Sequence, residues 1–234
     1  MFFFDPIHFN PMYFLFVAPA FLLGLWAQFR IRTAYAQAQQ MPAPLSGAAA
    51  ARHILDSAGL TDVQIEEVPG QLTDHYDPRE KVLRLSQEVY ESRTLAAVGI
   101  AGHEAGHAIQ HAQEYAPLLV RNAAVPMAGF GSQGSFILLI LGVVLHMNMM
   151  LIWLGIGLFA TVVVFQVVNL PVEFDASARA KAQLVGLGII SKEELVYVSK
   201  VLNAAALTYV AATLQAILTL LYYVMRFTGG DRRD

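Results

Sequence analysis

The chain contains no cysteine, which excludes a disulfide framework and any thiolate metal site, so a bound metal would have to rest on nitrogen and oxygen donors. It is also poor in charge. Asp, Glu, Lys and Arg make up 14% of its 234 residues, against about 25% in an ordinary soluble domain. The shortage is concentrated: between Arg121 and Glu173 stand 51 consecutive residues without one of the four. The net charge of −3 offers no basic surface for a nucleic-acid partner. Internal repeats are lacking, and the sole biased tract is an Ala-rich linker.

Apolar residues fill the space instead, at 56% of the sequence. As one helix the charge-free run would extend about 77 Å, more than twice a hydrocarbon core of about 30 Å. Two passes are therefore expected, broken at His146-Met147-Asn148, the most polar point between residues 136–141 and 151–154. A further uncharged run, residues 203–225, is long enough for one span, and residues 12–29 are marginally so. The first is read as a retained anchor rather than a secretory leader. Residues 1–6 carry no Lys or Arg, whereas Arg30 and Arg32 follow the apolar stretch, the reverse of a leader, even though Ala34-Tyr35-Ala36 resembles a cleavage site.

Basic residues set the expected orientation. Residues 30–121 carry eight Lys or Arg and residues 171–203 carry four, against Arg226, Arg232 and Arg233 beyond the last span. Twelve against three places both polar segments in the cytoplasm and both termini outside.

Those segments have the patterning of folded structure. Residues 34–45 read as an Ala/Gln/Pro linker, after which Ser46 can cap a helix over residues 47–58 that stops at Gly59. Residues 63–68 and 81–85 alternate as strands, with a turn-rich hairpin loop at residues 69–78. A long helical pattern starts at Thr94 and runs to about Tyr115. Pro171 is expected at a helix start, and Ser191-Lys192-Glu193-Glu194 is a capping box.

Within the long pattern lies His103-Glu104-Ala105-Gly106-His107, a His-Glu-x-x-His motif. Residues four apart share a helix face about 6 Å apart, so both imidazoles can reach one zinc, with Glu104 beside the position of a coordinated water. Such a match arises by chance in roughly one sequence in a hundred of this composition. The bland reading is a helix with histidines on a polar face. His111 continues the spacing, but it lies about 12 Å along a straight helix from His103, too far to share an ion whose nitrogens stand at most about 4 Å apart. A polar surface position fits it, with a supporting place behind the ligands or one at the substrate rim as the functional alternatives.

A catalytic zinc site takes three protein ligands and an open position. His8, His53, His75 and His146 are the remaining histidines, and His146 falls on the opposite face. The better supplier is a carboxylate: Glu173 follows the third span, and two passes after His107 return the chain to the same side. Asp175 is the competitor, and placement near a helix N-terminus is the alternative explanation for Glu173. Asp175 and Arg179, four apart, can form a plain ion pair; Asp175 can instead accept the N–H of a ligating imidazole, and Arg179 is a candidate for stabilising an oxyanion. In Gly70-Gln-Leu-Thr-Asp-His-Tyr-Asp-Pro78, His75 and Tyr76 are candidates for the same oxyanion task. No binding residues for an organic cofactor are evident.

These pieces together resemble the YugP-type neutral zinc metallopeptidases of bacterial membranes. The resemblance rests on the first span, Gly70 to Pro78, Leu83-Arg-Leu-Ser86, His103-Glu-Ala-Gly-His-Ala-Ile-Gln110, the uncharged hairpin and Asn169-Leu-Pro-Val-Glu-Phe-Asp-Ala-Ser177. It implies one zinc ion, His103 and His107 as ligands and Glu104 as the catalytic residue. A more distant resemblance links the chain to membrane heat-shock and prenyl-protein zinc proteases. Their third ligand is a Glu followed by Ala three and Asp four residues later; Ala176 matches and Ser177 departs.

The expected fold class is mainly α. About four transmembrane helices carry a small zincin-like α+β cytoplasmic portion, built from the His-Glu-x-x-His helix and a short β-hairpin. The chain divides into residues 1–32 (first span), 33–121 (zincin-like segment), 122–170 (membrane hairpin), 171–202 (helices with the third ligand) and 203–234 (last span and tail), forming one composite domain. The expected protein is a multi-pass zinc metallopeptidase of the bacterial cell (inner) membrane, active on or near the cytoplasmic face. Its expected partners are the bilayer and a peptide or protein substrate, membrane proteins among the candidates, which the strand at residues 81–85 could align by edge pairing. The alternative class is a scaffold or metal-handling protein that keeps the site but hydrolyses nothing. Glu104 beside the ligands argues against it, as do spans with little polarity beyond Gln166, Asn169, Thr208 and Gln215.

Overall fold

A computed structural model describes residues 11–228 of the chain. Residues 1–6, His8, Arg232 and Arg233, used above for the anchor, ligand and charge arguments, lie outside the described residues. The elements run α1 (Pro11–Gln39), α2 (Gly47–Ser57), β1 (Gln64–Val68), β2 (His75–Asp77), β3 (Val82–Ser86), α3 (Gln87–Glu91), α4 (Leu95–Ala112), α5 (Ala116–Val144), α6 (Met149–Gly186) and α7 (Leu195–Thr228). The described residues are thus mainly helical with one small sheet. Among the described residues α1, α5, α6 and α7 are long and apolar enough to cross a membrane.

Two compact units share these elements. Among the described residues, one comprises residues 11–26, Val120–Leu170 and residues 208–228; the other comprises Ala27–Leu119 and Pro171–Leu207. In the first, α5 and α6 form an antiparallel hairpin that breaks where expected: His146 and Met147 adopt φ of 59° and 61°, and Asn148 accepts the Leu151 N–H to begin α6. Leu139, Ile152, Ile156, Tyr222 and Tyr223 make its core.

The second unit packs α2, α3, the sheet and parts of α6 and α7 around α4. Thr94 caps α4 by accepting the Ala97 N–H, as Ser46 caps α2 through Ala49. The box at Ser191 forms reciprocally: Glu194 accepts from Ser191 N–H at 2.7 Å, and Ser191 Oγ accepts from Glu194 N–H at 3.1 Å. Ala and Gly dominate α4, and its neighbours press close: a Cβ on Gly99 would meet Val198 at 3.0 Å, one on Gly102 would meet Leu184 at 3.3 Å, and one on Gly106 would meet Ala176 O at 2.6 Å. Each helical Gly costs about 1 kcal/mol relative to Ala; here the cost is offset by burial of nearly the whole helix surface.

Four expectations need correction. The strands at residues 63–68 and 81–85 form, but β1 and β3 pair in parallel rather than as a hairpin. The loop between them folds back as β2 and pairs antiparallel with β3, so the short hairpin is β2–β3 and the order is β1-β3-β2. Consequently β3 is the central strand. Both its edges are occupied, and residues 81–85 offer no edge to a substrate. Pro171 does not start a helix: α6 runs through it from the span to Glu173 and beyond. Finally, residues 34–39 belong to α1 rather than to a linker; Ala34 and Ala38 are buried in the core around α4.

Candidate metal centre

One face of α4 carries His103 and His107, and α6 brings Glu173 against them. Glu173 Oε2 lies 3.3 Å from His103 Nε2 and 3.9 Å from His107 Nε2. Among the described residues this is the set of three whose donor atoms all come within 4.8 Å of one another. The helices can approach this closely because position 106 lacks a side chain: the Gly106 backbone lies directly on the Ala176 carbonyl. Glu173 is only 4% exposed, a burial that a carboxylate tolerates when positive or metal charge faces it.

The far side of each imidazole is held as well. His103 Nδ1 is 3.1 Å from Ser177 Oγ, and His107 Nδ1 is 3.0 Å from Gln110 Oε1. Gln110 is fully buried and its amide is oriented by two further bonds, since Nε2 donates to Val172 O and to Asp175 Oδ2, each at 2.8 Å. Its oxygen must therefore face His107, which puts the His107 proton on Nδ1 and leaves the Nε2 lone pair turned toward Glu173. This arrangement is what metal-binding histidines use to fix their tautomer. Two nitrogens and one carboxylate oxygen, close together and pre-oriented, fit zinc in donor type and number.

Electrostatics separate the two rings. Burial opposes charge on His103, but the hydrogen bond to Glu173 and the charges of Glu104 and Glu173 outweigh it and hold its pKa above the usual value. At His107 burial, aided by His103, prevails and its pKa lies below that value.

Glu104 is 9% exposed and its Oε2 accepts the Tyr76 backbone N–H at 3.1 Å. The Tyr76 hydroxyl lies 2.9 Å from His111 Nδ1. His75 is turned elsewhere: it is exposed, with Nδ1 donating to Thr73 O at 2.7 Å. Asp175 reaches an imidazole only through Gln110, and it also accepts from Arg179 Nε at 2.5 Å. Arg179 is engaged by Asp175, by Gln113 Oε1 at 2.5 Å and by the Tyr115 ring. Of these two supports, Gln110 has no role assigned from the sequence, and Ser177 enters there only as a departure from the Asp of the distant proteases. Each carried a positional signal, Gln110 one turn after His107 and Ser177 one turn after Glu173.

Fold and site define a helical protein with four helices fit to cross a membrane and a two-histidine, one-carboxylate donor set suited to zinc. The chain belongs to the family described as "Putative neutral zinc metallopeptidase", whose model matches residues 13–228. It is similar to the "Putative membrane protease YugP" of Bacillus subtilis (strain 168), with 47% identity over 222 residues that cover 94% of this chain and 98% of that relative. No solved structure matches it.

Proposed function

We propose that the protein is a membrane-embedded zinc endopeptidase in which His103, His107 and Glu173 hold one zinc ion and Glu104 is the general base. The observation that carries this reading is the convergence of His103, His107 and Glu173 on one point beside Glu104. When bound there, zinc supplies Lewis acidity, activating a water near neutral pH and polarising the scissile carbonyl. Glu104 removes the proton of the attacking water and delivers it to the leaving amine, a role that needs a carboxylate fixed at the rim of the donor set. The Tyr76 N–H fixes it. Ser177 and Gln110 keep the imidazoles in the orientation that the ligand role requires.

The site is read as lying at the cytoplasmic face of the bacterial cell membrane. The bias of basic residues toward residues 30–121 and 171–203 supports this side. The name of the Bacillus relative, a membrane protease, supports peptides or proteins as substrates.

The test compares purified wild type with Glu104→Gln by metal analysis and digestion of a peptide library. Equal zinc content with cleavage by wild type alone is the expected result; equal cleavage by both removes Glu104 from the mechanism, and no cleavage by either removes the peptidase reading.

A further inference from the structure

We propose that His111 is a positioning residue for Glu104 that acts through Tyr76, a strut lying along α4 with its backbone N–H on the carboxylate and its phenol on the His111 ring. The inference rests on the reading of Glu104 as general base and extends it to a residue outside the motif.

The geometry follows from helix dimensions. Glu104 and His111 are seven residues apart, which places them two turns apart on nearly the same face of α4, separated by about 10 Å along the axis. A tyrosine has the length to bridge that gap, and Tyr76 touches both ends, at 3.1 Å and 2.9 Å. Its ring lies 5.8 Å from the imidazole, centroid to centroid. In its pairing with β3, Tyr76 stands opposite Leu83, yet its N–H points the other way, to α4.

The bridge matters because β2 is weak alone. It has three residues and one strand neighbour, short of what an extended segment needs to hold its place. The Tyr76–His111 hydrogen bond fastens its outer side to the helix that bears Glu104. Burial, with the charges of Asp62 and Asp77, pushes the Tyr76 phenol up to about 12, so at neutral pH the hydroxyl keeps its proton and its hydrogen bond with His111 Nδ1 carries no ionised phenolate. Nothing in this contact touches His103, His107 or Glu173, whose supports are Ser177 and Gln110. Breaking the strut therefore loosens the base and spares the metal.

The test uses the full-length zinc-loaded protein as wild type, Tyr76→Phe, His111→Leu, the double variant, and His111→Gln, which restores a hydrogen-bonding side chain. Each single variant is expected to lose roughly 10-fold in kcat with little change in KM and with wild-type zinc content, because a misplaced base weakens the proton transfer. The double variant is expected to lose no more than either single, since both remove one interaction, and His111→Gln to recover part of the rate. Losses that multiply in the double variant, or a rise in KM with kcat unchanged, overturn the proposal. A second readout is independent of turnover: hydrogen exchange at the Tyr76 amide is expected to run at least about 10-fold faster in His111→Leu than in wild type, as the closed state of the strand is destabilised. Unchanged exchange overturns the proposal whatever the activity does. Absence of peptide cleavage by wild type defeats the function reading alone, and the exchange rates still decide whether the strut exists.

Discussion

The Gly106 α-carbon faces the carbonyl oxygen of Ala176 so closely that a Cβ would stand 2.6 Å from it. Both partners are backbone, so neither can swing aside. At this point α4, carrying His103 and His107, touches α6, carrying Glu173. Gly106→Ala is expected to push the helices apart, to cost about 1–3 kcal/mol and to abolish stoichiometric zinc. Gly102→Ala is the comparison. Its Cβ would meet the end of the Leu184 side chain at 3.3 Å, which can turn, so zinc content should stay near wild type. Metal analysis and a melting curve on both variants check the contrast; a zinc-replete Gly106→Ala protein refutes it.

The two glutamates are expected to separate by phenotype. Glu173→Gln removes the anionic donor, so zinc affinity should fall by more than the roughly 10–100-fold typical for loss of a partner outside the ligand set. Glu104→Gln should retain zinc while the rate falls about 10²–10⁴-fold. Competition with a chelating dye measures the first and peptide turnover the second.

The ring supports predict a graded series. Ser177→Ala and Gln110→Leu each release the Nδ1 side of one imidazole and should weaken zinc about 10–100-fold without abolishing it. Gln110→Leu should also lower stability by about 1–3 kcal/mol, because the buried Val172 carbonyl and the Asp175 carboxylate both lose its amide. Ser177→Asp, which restores the residue expected at that position from the heat-shock and prenyl-protein zinc proteases, should bind zinc at least as well as wild type. Titrations of the three variants test the order.

Much of this architecture was legible because it obeys local rules. The charge-free run, the break at Asn148 and the caps at Ser46, Thr94 and Ser191 each follow from a few neighbouring residues. The order of the sheet was not legible. Whether residues 63–68 and 81–85 pair in parallel depends on what the chain between them does, and the three-residue β2 is too short to show an alternation of its own. The continuity of α6 through Pro171 was hidden for a related reason. A proline forfeits one helical hydrogen bond, and only packing of the following turn, with Val172, Ala176 and Ala180 all buried, can hold the helix across it. At the site, spacing and topology pointed to the histidine pair and to Glu173, with Asp175 as competitor, and the donor atoms of His103, His107 and Glu173 do converge. Gln110 and His111 could not be assigned roles until Asp175 and Tyr76 were seen to reach them from distant parts of the chain.

Zinc uptake is expected to depend on pH in a direction set by His103. A histidine ligates only when its ring nitrogen is free of a proton, so a metal competes with protons for the site. Burial alone would favour the neutral ring, but the Glu173 hydrogen bond and the charges of Glu104 and Glu173 raise the His103 pKa above the ordinary 6.5. A raised pKa means that His103 takes up its proton early as pH falls. Apparent zinc affinity should therefore begin to drop at a pH above 6.5, before an unperturbed histidine would titrate, while His107, whose pKa is held below that value, contributes only at lower pH. Binding should release protons in the same range, measurable as a buffer-dependent heat in calorimetry. Glu173→Gln removes the hydrogen bond and one of the two charges that lift His103, so whatever affinity remains in that variant should decline at lower pH than in wild type. An affinity profile that does not move between the two proteins refutes this coupling.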